Sequence, residues 1–125
     1  MTPPERTVLA VDDDLDTLNI ITLKLQANGF KVITARDGEQ ALRIVRERCP
    51  DLIVMDVMMP KLSGLQTARL IKFDAKSRAI PLILLTARTQ EEDKTIGLKV
   101  GANVYLTKPF DPERLLKEIT NLFGA

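Results

Sequence analysis

An α/β fold, an open doubly wound sheet of five parallel strands in the order 2-1-3-4-5, is what the sequence predicts, and three observations carry it. Five short apolar runs rich in Val, Ile and Leu recur along the chain: TVLAV, KVITA, DLIVM, PLILL and NVYLT. They lack clean polar alternation, which marks strands covered on both faces. After each run comes a segment with helical apolar spacing, bracketed by helix start and stop signals. Because each β-α-β crossover is right-handed and returns to the sheet, such a chain builds a parallel sheet with helices on both sides. The flavodoxin-like (βα)5 arrangement is the architecture that satisfies this pattern.

Each element has its own local warrant. The first run ends in Asp12, Asp13 and Asp14, one of which, Asp14 or a neighbour, caps a helix beginning at Leu15. Leu15, Leu18, Ile21 and Leu25 form the inward stripe of that helix, and Gly29 stops it. The second run ends in Ala35 and Arg36, and Asp37 with Gln40 opens the second helix. The third run leads into Asp56, and Ser63 with Gln66 opens the third helix. The fourth run ends in Thr86, with Thr89 and Glu92 as the start of a fourth helix that Gly101 closes. The fifth run ends in Thr107 and Lys108. Asp111 then caps the last helix, Pro112 takes its first position, and Leu115, Leu116, Ile119, Leu122 and Phe123 face inward up to Gly124.

Composition narrows the function classes. The 125 residues make one typical domain, spanning 1–125, with no linker, repeat or low-complexity tract. Eighteen basic and 17 acidic residues leave a net charge of +1, which suggests no direct nucleic-acid partner and no membrane surface. Cys49 is the single cysteine and is expected to be an inert helix-end residue; with no histidine present, a zinc site is not expected. The N-terminal apolar run is too short for a signal peptide and no stretch approaches the ~20 residues of a membrane span, so a cytoplasmic location is expected.

The chemistry is expected where the strands end. In open parallel sheets ligands bind beyond the carboxyl ends of the strands. The order 2-1-3-4-5 makes neighbours of the ends carrying Asp12-Asp13-Asp14, Asp56, Thr86 and Lys108. Each residue alone has a structural use, as a helix cap, a hydroxyl near a helix start or a solvated charge. Together they form a composite site. Carboxylates gathered at ~4 Å repel by about 4 kcal/mol per pair at an effective dielectric near 20, so they require a cation. An all-oxygen set without His or Cys selects a hard ion, and Mg²⁺ accepts few protein ligands because it keeps its waters. With the charge neutralised by Mg²⁺ and Lys108, Asp56 can act as a nucleophile toward a phosphoryl group. Lys108, the Thr86 hydroxyl and the Ala87 amide are placed to hold phosphoryl oxygens.

The motifs VLAVDDD, DLIVMDVMMPKLSG, ILLTA and YLTKPF resemble the response-regulator receiver domain of two-component signal transduction, in its chemotaxis-regulator-like form, over nearly the whole chain. The resemblance implies that Asp56 is the phosphoacceptor and that Asp12, Asp13, Asp56 and the Met58 backbone carbonyl hold Mg²⁺. It implies that Thr86 and Lys108 sense the phosphoryl group, that Tyr105 is the switch aromatic, and that the Lys108–Pro109 bond is cis. A histidine kinase or histidine phosphotransfer protein is the implied donor. A downstream protein is the implied target, docking on the face of the fourth helix, fifth strand and fifth helix. Which two of Asp12, Asp13 and Asp14 hold the metal stays open by one residue.

Alternative readings are weaker. A haloacid-dehalogenase-like phosphatase would carry Asp-x-Asp at the nucleophile, whereas Asp56 is followed by Val57 and Met58. A nucleotide-binding module would carry a glycine-rich loop after the first strand, where DDDLDT stands instead. A receiver that only binds partners is opposed by the complete set Asp12, Asp13, Asp56, Thr86 and Lys108. The expectation is therefore a regulator that is not an enzyme beyond its own phosphorylation and dephosphorylation, with protein binding as its output. Met58, two residues past Asp56, is expected to orient attacking water poorly, and Arg88, two past Thr86, to pair with a phosphoryl oxygen and obstruct the water's path, so that the phosphorylated state is prolonged.

Overall fold

The apolar runs form β1 (Thr7–Val11), β2 (Lys31–Ala35), β3 (Leu52–Asp56), β4 (Leu82–Thr86) and β5 (Val104–Thr107). The computed structural model describes residues 5–59, 61–86 and 101–124. All five strands are parallel and lie in the order β2-β1-β3-β4-β5, as the sequence predicts. Four helices are described: α1 (Leu15–Gln26), α2 (Gly38–Arg48), α3 (Gly64–Phe73) and the C-terminal α4 (Pro112–Leu122). The helix expected to start at Thr89 and Glu92 lies outside the described residues. No helix among the described residues is long and apolar enough to cross a membrane.

The side-chain alternation of the strands divides the core into two layers. Leu9, Val11, Ile53, Met55, Leu82 and Leu84 meet Ala41 and Val45 of α2 and Ala68 and Ile71 of α3. On the other face Val8, Ala10, Leu52, Val54, Ile83 and Leu85 meet Leu18, Ile21 and Leu25 of α1 and Leu115 and Ile119 of α4. Central β3 and β4 are buried along their whole length, which accounts for their unbroken apolar sequences. Edge strand β2 departs from the expectation of cover on both faces. Lys31 and Thr34 are exposed, because the strand pairs on one side only and only Ala35 is fully enclosed. Leu15 also departs from its assigned stripe: it is 54% exposed, so the buried face of α1 begins at Leu18.

The caps fall where the sequence puts them. Asp14, Asp37, Ser63 and Asp111 are N-caps, and Ser63 with Gln66 closes a full capping box. Gly29, Gly101 and Gly124 all take positive φ, and Cys49 ends α2 in the left-handed region with its side chain exposed.

Gly64, the first residue of α3, lies against the end of β3. A Cβ there would stand 2.1 Å from the Asp56 carbonyl oxygen and 2.8 Å from the Val57 Cα, while its own amide donates to the Val57 carbonyl at 2.9 Å. These neighbours are backbone and cannot rotate away. Gly64→Ala is therefore expected to destabilise the protein by roughly 2–4 kcal/mol through displacement of the α3 N-terminus. Urea unfolding checks this, and a loss under about 1 kcal/mol would show that the β3-α3 junction is not tight.

Candidate functional site

Strand register assembles the site at the carboxyl edge of the sheet. Val11 of β1 pairs with Met55 of β3, so Asp12 and Asp56 follow one step beyond the same pair. Asp56 in turn pairs with Leu85, and Thr86 pairs with Thr107. Lys108 comes one residue later, its amide donating to the Thr86 carbonyl and its peptide bond to Pro109 cis. Four residues distant in sequence are thereby set side by side by backbone pairing alone.

The Lys108 ammonium sits 2.6 Å from Asp12 Oδ2 and 3.4 Å from Asp56 Oδ2. Asp12 is fully buried, Asp56 is 5% exposed and Thr86 is fully buried. Asp13 is exposed at the rim, yet one carboxylate oxygen from each of Asp12, Asp13 and Asp56 lies within 4.8 Å of the others. Asp14 is not part of this group. Its carboxylate accepts from the Thr17 hydroxyl at 2.7 Å and from the Asp16 amide, which is the work of an N-cap. The Thr17 hydrogen bond, with the helix amides behind it, holds the Asp14 carboxyl below the usual range. The geometry thus selects Asp12 and Asp13 from the run of three acids.

Burial, followed by the charge of Asp12, pushes the Asp56 carboxyl up to about 6; Lys108 and the Met58 amide pull against that rise without cancelling it. For Lys108, burial alone would pull the ammonium down. The hydrogen bond to Asp12 and the charges of Asp56 and Asp12 together outweigh it, and the group is raised and stays protonated. A cluster in which one cation faces two buried acids and a third at the rim is short of positive charge. Its donors are all carboxylate oxygens, so the residues present fit a hard divalent ion.

Ala87, expected to offer an amide to the site, lies outside the described residues, as does Arg88. The Met58 side chain is 57% exposed. Tyr105 on β5 is half-buried, pairs in register with Leu84 and packs on the α2-α3 layer. Alternation places it on the same sheet face as Thr86. Sequence reasoning passed over Arg36, having set aside the end of β2 as chemically unequipped. Its guanidinium Nη2 donates to the Asp13 carbonyl at 3.1 Å, a contact visible only once Val11 and Ala35 are paired.

The raised Asp56 carboxyl has a consequence for stability. An acid whose folded value, about 6, lies above its ordinary 3.8 binds a proton more tightly in the folded state. Ionising it therefore costs stability progressively as pH rises from about 4 to 6, and above 6 the whole penalty, on the order of 1–3 kcal/mol, is present. Asp56→Asn, which cannot ionise, is expected to be more stable than the parent by that amount at pH 8 in a chelator and nearly equal to it at pH 4. Denaturant titrations at both pH values check this, and a variant less stable at pH 8 would refute it.

Comparison with known proteins agrees with this geometry. The family model described as the response regulator receiver domain matches residues 8–120. The phosphate regulon transcriptional regulatory protein PhoB of Klebsiella pneumoniae is 42% identical over 114 residues, 91% of this chain, and the chain spans only 50% of that relative's length. Protein PilH of Pseudomonas aeruginosa is 41% identical over 118 residues, with 94% of this chain and 98% of that protein covered. The solved receiver domain of a sensor histidine kinase from Pseudomonas aeruginosa, with a magnesium ion coordinated in its active site cleft, superposes with a TM-score of 0.89. It is 31% identical, with 98% of this chain and 100% of that one covered. Matched by that family model over residues 8–120, the chain belongs to the response regulator receiver domain family of two-component signalling.

Proposed function

We propose that residues 1–125 act as one phospho-accepting receiver unit in which Asp56 takes a phosphoryl group from a phosphohistidine. The donor is a histidine kinase or a histidine phosphotransfer protein. The observation that carries this reading is the pair of buried carboxylates, Asp12 and Asp56, sharing the single Lys108 ammonium at adjoining strand ends. An Asp56 oxygen attacks phosphorus as the P–N bond breaks, the bonding pair returns to the imidazole nitrogen, and an acyl phosphate forms on Asp56.

Asp12, Asp13, Asp56 and the Met58 carbonyl are the residues that would hold Mg²⁺, which when bound supplies positive charge against the phosphoryl oxygens. Lys108 holds a second oxygen, and Asp12 keeps that ammonium charged and oriented. The Thr86 hydroxyl and the Ala87 amide receive a third. The chain turns over no separate substrate; it is phosphorylated and dephosphorylated on its own residue. Cys49 without a disulfide partner suits a reducing cytoplasm.

An apolar groove of about 470 Å³ runs beside the site between α1 and α4, lined by Asp14, Thr17, Ile20, Lys108, Pro109, Phe110 and Pro112. Its opening beside Lys108 suits a helix that brings a phosphohistidine to Asp56. The output face includes β5 and α4, and the helix expected from the sequence to complete it lies outside the described residues. Thr86 moving toward the phosphoryl group lets Tyr105, on the same sheet face, turn inward. Shifting a two-state switch from 1:99 to 99:1 requires about 5.5 kcal/mol, within reach of a few charge-assisted hydrogen bonds.

Incubation with acetyl phosphate and Mg²⁺, followed by mass spectrometry, is expected to show one base-labile phosphate on Asp56, absent from Asp56→Asn and abolished by a chelator. Labelling that survives either change would overturn the assignment. With a beryllofluoride phosphoryl mimic, the NMR resonances of Thr86 and Tyr105 are expected to shift together; unchanged Tyr105 shifts would uncouple it from the site.

A further inference from the structure

We infer that Arg36 is a positioning residue for the divalent-cation site, acting through the peptide bond between Asp13 and Asp14. This rests on the reading of Asp12, Asp13 and Asp56 as that site. The peptide in question is gripped at both ends. Its carbonyl, that of Asp13, accepts from Arg36 Nη2 at 3.1 Å; its N–H, that of Asp14, donates to Asp12 Oδ1 at 3.0 Å. With the plane of that peptide held, the ψ of Asp13 is set, and so is the direction in which the residue departs from the chain. Asp13 is the exposed member of the acidic group, so packing does little to orient it.

The backbone that carries Arg36 is itself well anchored. The Arg36 amide donates to Gln40 Oε1 at 2.7 Å, and the Gln40 amide donates to the Asp37 carboxylate at 2.8 Å. β1 and β2 remain paired to their last residues, with the Asp12 amide on the Ala35 carbonyl at 3.1 Å. Arg36 therefore starts from a fixed backbone directly beside the acidic turn. A single Nη2 donor makes the contact, so an ammonium of similar reach can replace it.

Electrostatics and positioning predict opposite signs, which makes the inference testable. A guanidinium near a divalent cation repels it, so a purely electrostatic Arg36 would weaken Mg²⁺ binding and its removal would strengthen it. A positioning Arg36 has the reverse effect: supporting residues around metal ligands commonly contribute about tenfold or more in affinity. The experiment is isothermal titration of MgCl₂ into the parent, Arg36→Ala and Arg36→Lys, with amide hydrogen exchange of Asp14 and Asp12 measured in the metal-free proteins.

The expected result is a Kd raised about fivefold to tenfold in Arg36→Ala, below the buried-site range because the contact is exposed, and largely recovered in Arg36→Lys. Exchange at Asp14 is expected to accelerate in Arg36→Ala while that at Asp12, held by β2, does not. A Kd in Arg36→Ala equal to or lower than the parent's overturns the inference. Loss of protection at both amides also overturns it, since that would make Arg36 a strand-end support only. A parent that binds no Mg²⁺ would overturn the underlying site reading along with it, a result distinct from either of these.

Discussion

The rest of the site depends on one ammonium shared between two buried carboxylates. Asp12 and Asp56 end neighbouring strands and share an enclosed volume. Two like charges less than 5 Å apart repel by roughly 3–4 kcal/mol even at an effective dielectric near 20. Lys108, 96 residues from Asp12 in sequence, closes on both. Without it the ends of β1 and β3 would present uncompensated charge to the core, a far more expensive arrangement than the observed one. With it the cluster remains negative and under-neutralised, and Asp56 holds its proton more readily than an ordinary carboxyl group.

That residual shortage of positive charge is what ties stability to chemistry. The observed charge balance leaves a carboxylate group that could hold a divalent ion. The backbone around it is closely packed. Gly64 brings α3 against the Asp56 carbonyl, and a Cβ on Gly38 would stand 2.6 Å from the Leu62 carbonyl oxygen. Lys61, at positive φ, reaches Asp37 at 3.6 Å. The loop after β3 is thus held from the side of α2 as well as that of α3. Arg36 adds a comparable hold on the turn after β1.

The two sheet faces divide the labour. Alternation puts Asp12 and Asp56 on the face covered by α1 and α4, beside the apolar groove that Lys108 and Phe110 line. Thr86 and Tyr105 belong to the opposite face. Thr86 ends the strand next to Asp56, so the site at the sheet edge borders both layers.

Much of this was legible in the sequence, for physical reasons that can be named. Buried parallel strands write themselves as unbroken runs such as DLIVM and LILLT, and N-caps at Asp14, Asp37, Ser63 and Asp111 are chosen by neighbouring amides within three residues. Both are local effects. The site residues could be named because strand order alone brings strand ends together, and polar side chains at such ends stand out against the apolar runs. What the sequence could not decide depended on distance between elements. It left the acidic pair ambiguous by one residue, and only the Thr17 hydroxyl and the fall of Asp13 toward Asp56 separated Asp14 from its neighbours. It put Leu15 on the buried stripe, although helical periodicity does not say where a helix first meets the sheet. It saw no use for Arg36, because a guanidinium reaching a carbonyl 23 residues away has no periodic signature. Local chemistry determined the elements and the cast of the site; pairing register and side-chain reach, which exist only in the folded chain, decided which of them touch.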